Sequence, residues 1–251
     1  MPALSVLAVT QPAGLVFALV FAGFYADPLG ADKLAIAAIA GAAGLGGLAA
    51  FYIAMAMGTM SIVAPVAALG VVVPVAVGLA RGEEPGPIQL VGLVIAVIGV
   101  VVLSYEEDPK RGAVARRSIA LAALSALGFG IFFTGLDLAA TDRPGWAVVA
   151  ARVGGVAAVA VAVIAVRPTL RPVVAALPLL VVIGGFDILA NALFAIASTI
   201  GLLPLVAVGG STYPAFTIAL AHIVLGERLN RPQRLGVALA VVGVALIAGG
   251  S

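Results

Sequence analysis

The chain has 251 residues, of which 63% are hydrophobic and 10% charged, with a formal net charge of +2 and no cysteine. A water-soluble domain carries roughly a quarter charged residues, so a soluble core is excluded and the lipid bilayer is the expected solvent. The basic residues sit in short loops between apolar runs rather than in a patch, which argues against a nucleic-acid partner, and without cysteine there is no disulfide, thiolate metal site or cysteine nucleophile.

Runs of about 20 apolar residues, cut by polar or Gly/Pro clusters, predict nine membrane helices, at about residues 3–25, 34–57, 60–80, 87–105, 118–139, 146–166, 174–197, 201–225 and 231–249. Helices are the only option, because open strands would leave backbone groups unsatisfied in lipid and the alternation of a barrel is missing. The first run, which includes Gln11, follows no charged leader region and reads as a retained span. The third holds Pro74 after "GVVV", where proline removes an i to i−4 hydrogen bond inside the membrane. The fourth opens with Gly86 as cap, Pro87 at the first helical position and Gln89 placed to reach back to the cap's N–H.

The loop "YEEDPKRGAVARR" separates Tyr105 from the fifth span, near whose outer end stands Asp137. Trp146 opens the sixth, as an aromatic belt predicts, and Arg152 follows about six residues in. The seventh carries Asp187 near its middle and Asn191 one turn beyond. "GGSTYP" in the eighth sets Ser211, Thr212 and Tyr213 before Pro214, a second expected helix break whose freed carbonyl neighbouring hydroxyls or a substrate could satisfy. His222 is the one histidine, near the end of that span. "GERLNRPQRLG" then opens the ninth, with Asn230 as cap and Gln233 three residues on.

An ionisable residue inside a span is costly and is a functional candidate by default. Asp187 is the first such residue; it reads as a proton- or substrate-coupling carboxylate, or as a structural carboxylate paired with Arg152. Arg152 reads as an anion-binding or charge-balancing partner. Gln11, Asn191, Ser211, Thr212 and Tyr213 read as hydrogen-bonding cavity residues, with Gln11 across the midplane from Arg152. No catalytic residues, cofactor motif or metal cluster occurs, and no P-loop supports an ATP-driven mechanism.

Self-comparison reveals a repeat. "VTQPAGLVFALV" matches "AARVGGVAAVAV" at an offset of 141, "VAALGVVVP" matches "VAVGGSTYP" at 140, and "GEEPGPIQLVGLVIAVIGV" matches "GERLNRPQRLGVALAVVGV" at 144. Residues 1–105 form the first repeat, with four helices, 106–117 the joining loop, and 118–251 the second repeat, with five. The first copy is one helix short, which leads us to expect a further apolar segment upstream of Met1. Units of five helices enter the membrane from opposite sides, so the repeats are expected to be inverted. Nine Lys and Arg on one face, Lys110, Arg167 and Arg228 among them, against Lys33, Arg81 and Arg143 on the other, make the first face cytoplasmic. Gly92, Gly99, Gly236 and Gly243, spaced at sevens, are expected to form a close packing seam.

The twice-repeated Gly-Glu…Gln…Gly stretch, after a proline-containing helix and in two halves, resembles the EamA-type branch of the drug/metabolite transporter superfamily over nearly the whole chain. The resemblance implies ten helices around a central cavity, alternating access, and export or uptake of small metabolites or drugs. Members of the family often keep both termini inside, whereas the charge count puts this C-terminus outside.

The expectation is thus an all-α membrane protein built as an inverted repeat of five-helix units, nine helices being visible. It is a multi-pass inner-membrane secondary transporter of a small organic solute, with no cofactor. Protons are the candidate coupling ion, the bilayer is its medium, and a homodimer is compatible. A lipid-head-group flippase and a non-transporting scaffold or receptor are the rival readings.

Overall fold

A computed structural model describes residues 3–25, 29–57, 63, 66–103, 113–141, 143–169, 171–212 and 231–249 of the chain, and no strand occurs among them. The helices are α1 (Ala3–Ala22), α2 (Ala31–Met57), α3 (Val72–Ala80) after a 3₁₀ turn at Leu69–Val71, α4 (Pro87–Leu103) and α5 (Ala113–Ala140). They continue as α6 (Pro144–Val166), the single turn α7 (Arg171–Val174), α8 (Leu177–Ile200), α9 (Leu203–Ser211) and α10 (Arg231–Gly249).

Five helices are long and apolar enough to cross a membrane: α1, α2, α5 from Arg117, α6 and α8. Three of the other expected spans fall on shorter apolar helices, Val66–Ala80, Pro87–Gly99 and Arg234–Ile247, and the eighth begins in α9 and runs on through residues outside those described. Several boundaries differ from the sequence reading by a few residues, and two are explained locally. The seventh helix runs to Ile200 rather than 197 because the hydroxyls of Ser198 and Thr199 donate to the carbonyls of Ala195 and Ile196, one turn back, and so continue the helix instead of breaking it. α5 starts at Ala113, so the helix carries its basic residues past the apolar stretch.

The chain divides into two units, Met1–Tyr52 with Gly128–Gly201, and Ile53–Leu127 with Leu202–Ser251. In the first, α1 packs on α6 and α8. Its crossings are made by backbone meeting backbone: a Cβ on Gly41 of α2 would run into the Ala151 carbonyl of α6, and one on Gly184 of α8 would lie 2.8 Å from the Thr10 carbonyl of α1. Without a hydrophobic drive between helices in lipid, such close contact is what holds them. The unit is tied at both ends. At one end Ser5 Oγ donates to the Thr169 carbonyl at 3.1 Å. At the other, Trp146 Nε1 donates to the Tyr25 carbonyl at 3.4 Å and Lys33 Nζ to Thr141 Oγ1 at 2.6 Å. Outward faces are apolar, with Phe186 and Ile164 exposed, a surface suited to lipid rather than water.

In the second unit α4 and α10 cross where the glycine seam was expected. A Cβ on Gly92 would lie 2.8 Å from the Gly243 carbonyl, and one on Gly243 would press on Ala96. The start of α4 also forms as its sequence indicates, Gly86 N–H donating to Gln89 Oε1 at 2.8 Å. Glu83, in the turn before it, reaches α9: its Oε2 accepts the N–H of Leu203 at 2.7 Å. Leu203 is the first helical residue, and no side chain of α9 itself caps that end.

Candidate functional site

Polar side chains that stand alone in the sequence meet in the first unit. Arg152 is the ninth residue of α6 and Asp187 the eleventh of α8, so at a rise of about 1.5 Å per residue both lie roughly 12–15 Å along helices long enough to cross a membrane. Arg152 is 6% exposed. Its Nη2 forms an ion pair with Asp187 Oδ2, and its Nη1 donates to Gln11 Oε1 of α1 at 2.5 Å. Both ends of the guanidinium fork are therefore engaged at once, a geometry open to arginine and not to lysine.

The helices make room for this. A Cβ on Gly14, one turn after Gln11, would lie 3.2 Å from Arg152 Cζ, and a Cβ on Gly155, one turn after Arg152, 3.2 Å from Gln11 Oε1. Each glycine leaves the space that the other helix's polar side chain fills. Pro12, beside Gln11, lacks the N–H that would bond the carbonyl of residue 8, so α1 is also loosened at this level.

A cavity of about 180 Å³ opens onto these groups. Gln11, Arg152, Asp187 and Asn191 make its polar side; Phe129, Phe132 and Phe133 of α5 make an aromatic side; Gly41, Gly44 and Gly155 are among the small residues between. The rings brace one another: Phe132 and Phe133 meet edge to face at 5.2 Å, and Phe133 lies 4.5 Å from the buried ring of Phe194 on α8. Among the described residues Arg152 and Asp187 are the charged members of the lining, one of each sign. Asp187 is 45% exposed while its partner is buried.

Towards the end of the unit that holds Ser5, Leu45 and Leu48 pass from the cavity lining into an apolar cluster with Leu4, Leu7, Tyr52, Val159 and Val163. This cluster packs α1, α2 and α6 against one another at that end.

Of the residues singled out in the sequence, Gln11, Arg152, Asp187 and Asn191 come together, and Gln11 touches Arg152 directly. Ser211 and Thr212 lie in the second unit, where their hydroxyls donate to the carbonyls of Val208 and Gly209 at 2.8 and 2.6 Å. Pro74 also belongs to the second unit, buried in the first turn of α3, directly after the change from 3₁₀ to α geometry. Tyr213, Pro214, His222 and Asn230 lie outside the described residues. The phenylalanine wall was not foreseen, although its signal was present: positions 129, 132, 133 and 136 form an i, i+3, i+4, i+7 stripe on one helix face. No group of His, Cys, Asp or Glu among the described residues could hold a metal ion.

A family model described as the EamA-like transporter family matches residues 116–249. No curated protein matches the chain. Among solved structures, one described only as "Crystal structure of protein" aligns with a TM-score of 0.82 at 18% identity, over 100% of this chain and 90% of that one; at that identity the likeness is one of fold.

Proposed function

We propose, from the premise that the chain belongs to the EamA-like transporter family of the drug/metabolite transporter superfamily and is a multi-pass membrane protein, that it is a secondary active transporter. In this reading it moves a small organic solute across the inner membrane by alternating access. The observation that carries the reading is the buried Arg152 of α6, paired with Asp187 and hydrogen-bonded to Gln11 beside a cavity. Charges inside membrane-spanning helices are retained where they act on a substrate or an ion. Asn191 and the phenylalanine wall complete the solute's surroundings, and Asp187, half-exposed beside its arginine, is the group that exchanges a proton or a substrate contact during the cycle. Ser211, Thr212 and Tyr213, with the helix breaks expected from the sequence at Pro74 and Pro214, are kept as proposed solute-contacting candidates on sequence grounds.

An inverted repeat, with residues 1–105 and 118–251 as its halves, is supported by pairs of equivalent contacts. Gln11 and Arg152 are 141 residues apart and touch; Gly14 and Gly155, also 141 apart, each accommodate the other's neighbour. Gly41 meets Ala151 as Gly184 meets Thr10, and Gly41 and Gly184 stand 143 residues apart while Thr10 and Ala151 stand 141 apart. A two-fold axis in the membrane plane relates such pairs to each other, and substrate sites of inverted-repeat transporters lie on it.

The test is transport by the purified chain in vesicles with Asp187→Asn. The expected result is loss of concentrative transport and of its pH dependence. If both were unchanged, Asp187 would have no part in the mechanism.

A further inference from the structure

The end of α3 is shaped to aim one carboxylate at another helix. Arg81 caps α3, Gly82 follows at φ 82°, and the N–H groups of Gly82 and Glu83 donate back to the carbonyls of Leu79 and Gly78 at 3.0 and 3.1 Å. This double closure turns the chain back over the helix it has just left. Glu83 is thereby brought to the start of α9, where its Oε2 accepts the Leu203 N–H at 2.7 Å. Gly78 keeps the place open: a Cβ there would lie 2.5 Å from Pro204 Cδ and 3.4 Å from the Glu83 carboxyl carbon. The two elements therefore meet here through a proline ring set on a glycine and one charge-assisted hydrogen bond.

α9 is otherwise complete in itself. The N–H groups of Leu205 and Val206 donate to the Leu202 carbonyl, both at 3.1 Å, and Pro204 has none to place. At the far end the hydroxyls of Ser211 and Thr212 are met by carbonyls of the same helix. Leu203 is thus the residue of the first turn whose N–H takes its partner from a distant part of the chain. Just before it Gly201 and Leu202 are extended, with ψ of 168° and 130°. Residues at the ends of elements absorb the backbone change when a helix swings, so α9 can pivot there without unwinding. Arg81, Gly82 and Glu84 around the turn are exposed, and a released Glu83 carboxylate meets water instead of being left as a buried charge. A hydrogen bond of this kind biases the closed form by roughly ten- to a hundredfold. That is enough to set a resting state and little enough to be undone in each cycle.

We propose, resting on the alternating-access reading above, that Glu83 is a latch. Closed, it holds the start of α9 against the end of α3; open, it lets α9 swing as a rigid rod and exposes this end of the second unit. The chain has no cysteine, so Leu205→Cys, at a position 7% exposed, reports the opening through its rate of reaction with a maleimide in the purified, detergent-solubilised protein. Adding Glu83→Ala is expected to raise that rate at least tenfold while amide exchange at residues 207–211 stays as in the parent. An unchanged rate overturns the proposal, and so does a rate that rises together with exchange at 207–211, because α9 would then be melting and not swinging. A second variant separates the latch from a mere helix cap. Leu202→Asp added to Glu83→Ala places a carboxylate at the helix's own cap position and restores the cap without the tie to α3. Labelling is expected to stay fast while the melting temperature recovers; labelling that returns to the parent rate would reduce Glu83 to a cap. Glu83→Gln keeps an acceptor at the same reach and is expected to slow labelling back towards the parent, whereas a rate equal to that of Glu83→Ala would show that the hydrogen bond is not what closes the latch. No solute enters these measurements, so the two readings fail separately. The expected labelling pattern in a chain that moves no solute in vesicles sustains the latch and sinks the transport reading, and Asp187-dependent transport with labelling indifferent to Glu83 does the reverse.

Discussion

Arg152 does two things with one side chain. It neutralises Asp187 and, through Gln11, ties α1 to the α6–α8 pair. Arg152→Lys keeps the charge but cannot hold both partners in the fork geometry, and it is expected to reduce transport at least tenfold in vesicles while the protein still folds. Wild-type rates in that variant would show that only the charge matters. Arg152→Ala removes the charge and leaves Gln11 and Asp187 without their donor; the cost is expected to be about 1–3 kcal/mol, by the usual penalty for an unmet buried polar group, read as a lower melting temperature. Gly14→Val reaches the same arginine without changing any charge. Its Cβ alone would lie 3.2 Å from Arg152 Cζ and from Ile188 Cγ1, so the bulkier side chain is expected to displace the guanidinium and reproduce the transport defect of Arg152→Lys. Normal transport in Gly14→Val would mean that the guanidinium position is not critical.

Helix junctions and crossings are held by single atoms. Glu83 caps α9 from a turn that lies about 120 residues earlier, and Pro204 in the next position has no N–H to need a partner. Because the carboxylate also complements the positive end of the helix dipole, Glu83→Ala is expected to destabilise by about 1–3 kcal/mol and to raise amide exchange at Leu203 before it does so elsewhere in the second unit. Uniform exchange along α9 would argue that the contact does not order the helix start. The twin of this residue, Glu227, lies outside the described residues. Two glycines of α2 make a matched pair of tests. Gly46→Ala meets nothing within 4 Å and is expected to be neutral or stabilising by about 0.5–1 kcal/mol, since alanine is the better helix former. Gly41→Ala drives a methyl into the Ala151 carbonyl and is expected to abolish the folded, monodisperse protein in detergent. Equal yields of the two variants would show that the α2–α6 crossing is looser than its geometry.

Sidedness can be measured directly because the chain has no cysteine. Thr169 shares one end of the first unit with Ser5, and Asp32 sits beside Lys33 at the other, where Thr141, Trp146 and Tyr25 are fastened. With the basic excess taken as cytoplasmic, Thr169→Cys is expected to react with a membrane-impermeant maleimide only from the cytoplasmic side of inside-out vesicles, and Asp32→Cys only in intact cells. The reverse pattern would invert the direction assigned to every helix.

The polar half of the site was legible because the chain is otherwise so apolar: in a bilayer each of Arg152, Asp187, Asn191 and Gln11 carries a cost that only a partner or a function offsets. The cap at Gly86 and Gln89 and the glycine seam of α4 and α10 were legible for a related reason, since both depend on local spacing along one helix. The aromatic wall was not, because phenylalanine among valines and leucines gives no contrast, and only the packing of α5 against α8 separates Phe133, against Phe194, from rings that face lipid. The sequence alone established the solvent, the helical class and the short set of costly side chains. Tertiary structure alone decided which of them meet. Gln11 and Arg152 are joined through the crossing of two helices whose closest approach is set by glycines a turn away, while Ser211 and Thr212, equally polar in the sequence, are satisfied by the carbonyls of their own helix. A hydroxyl can be satisfied within one helix, whereas α6 carries no acidic residue, so the Arg152 guanidinium takes its counter-charge from a second helix.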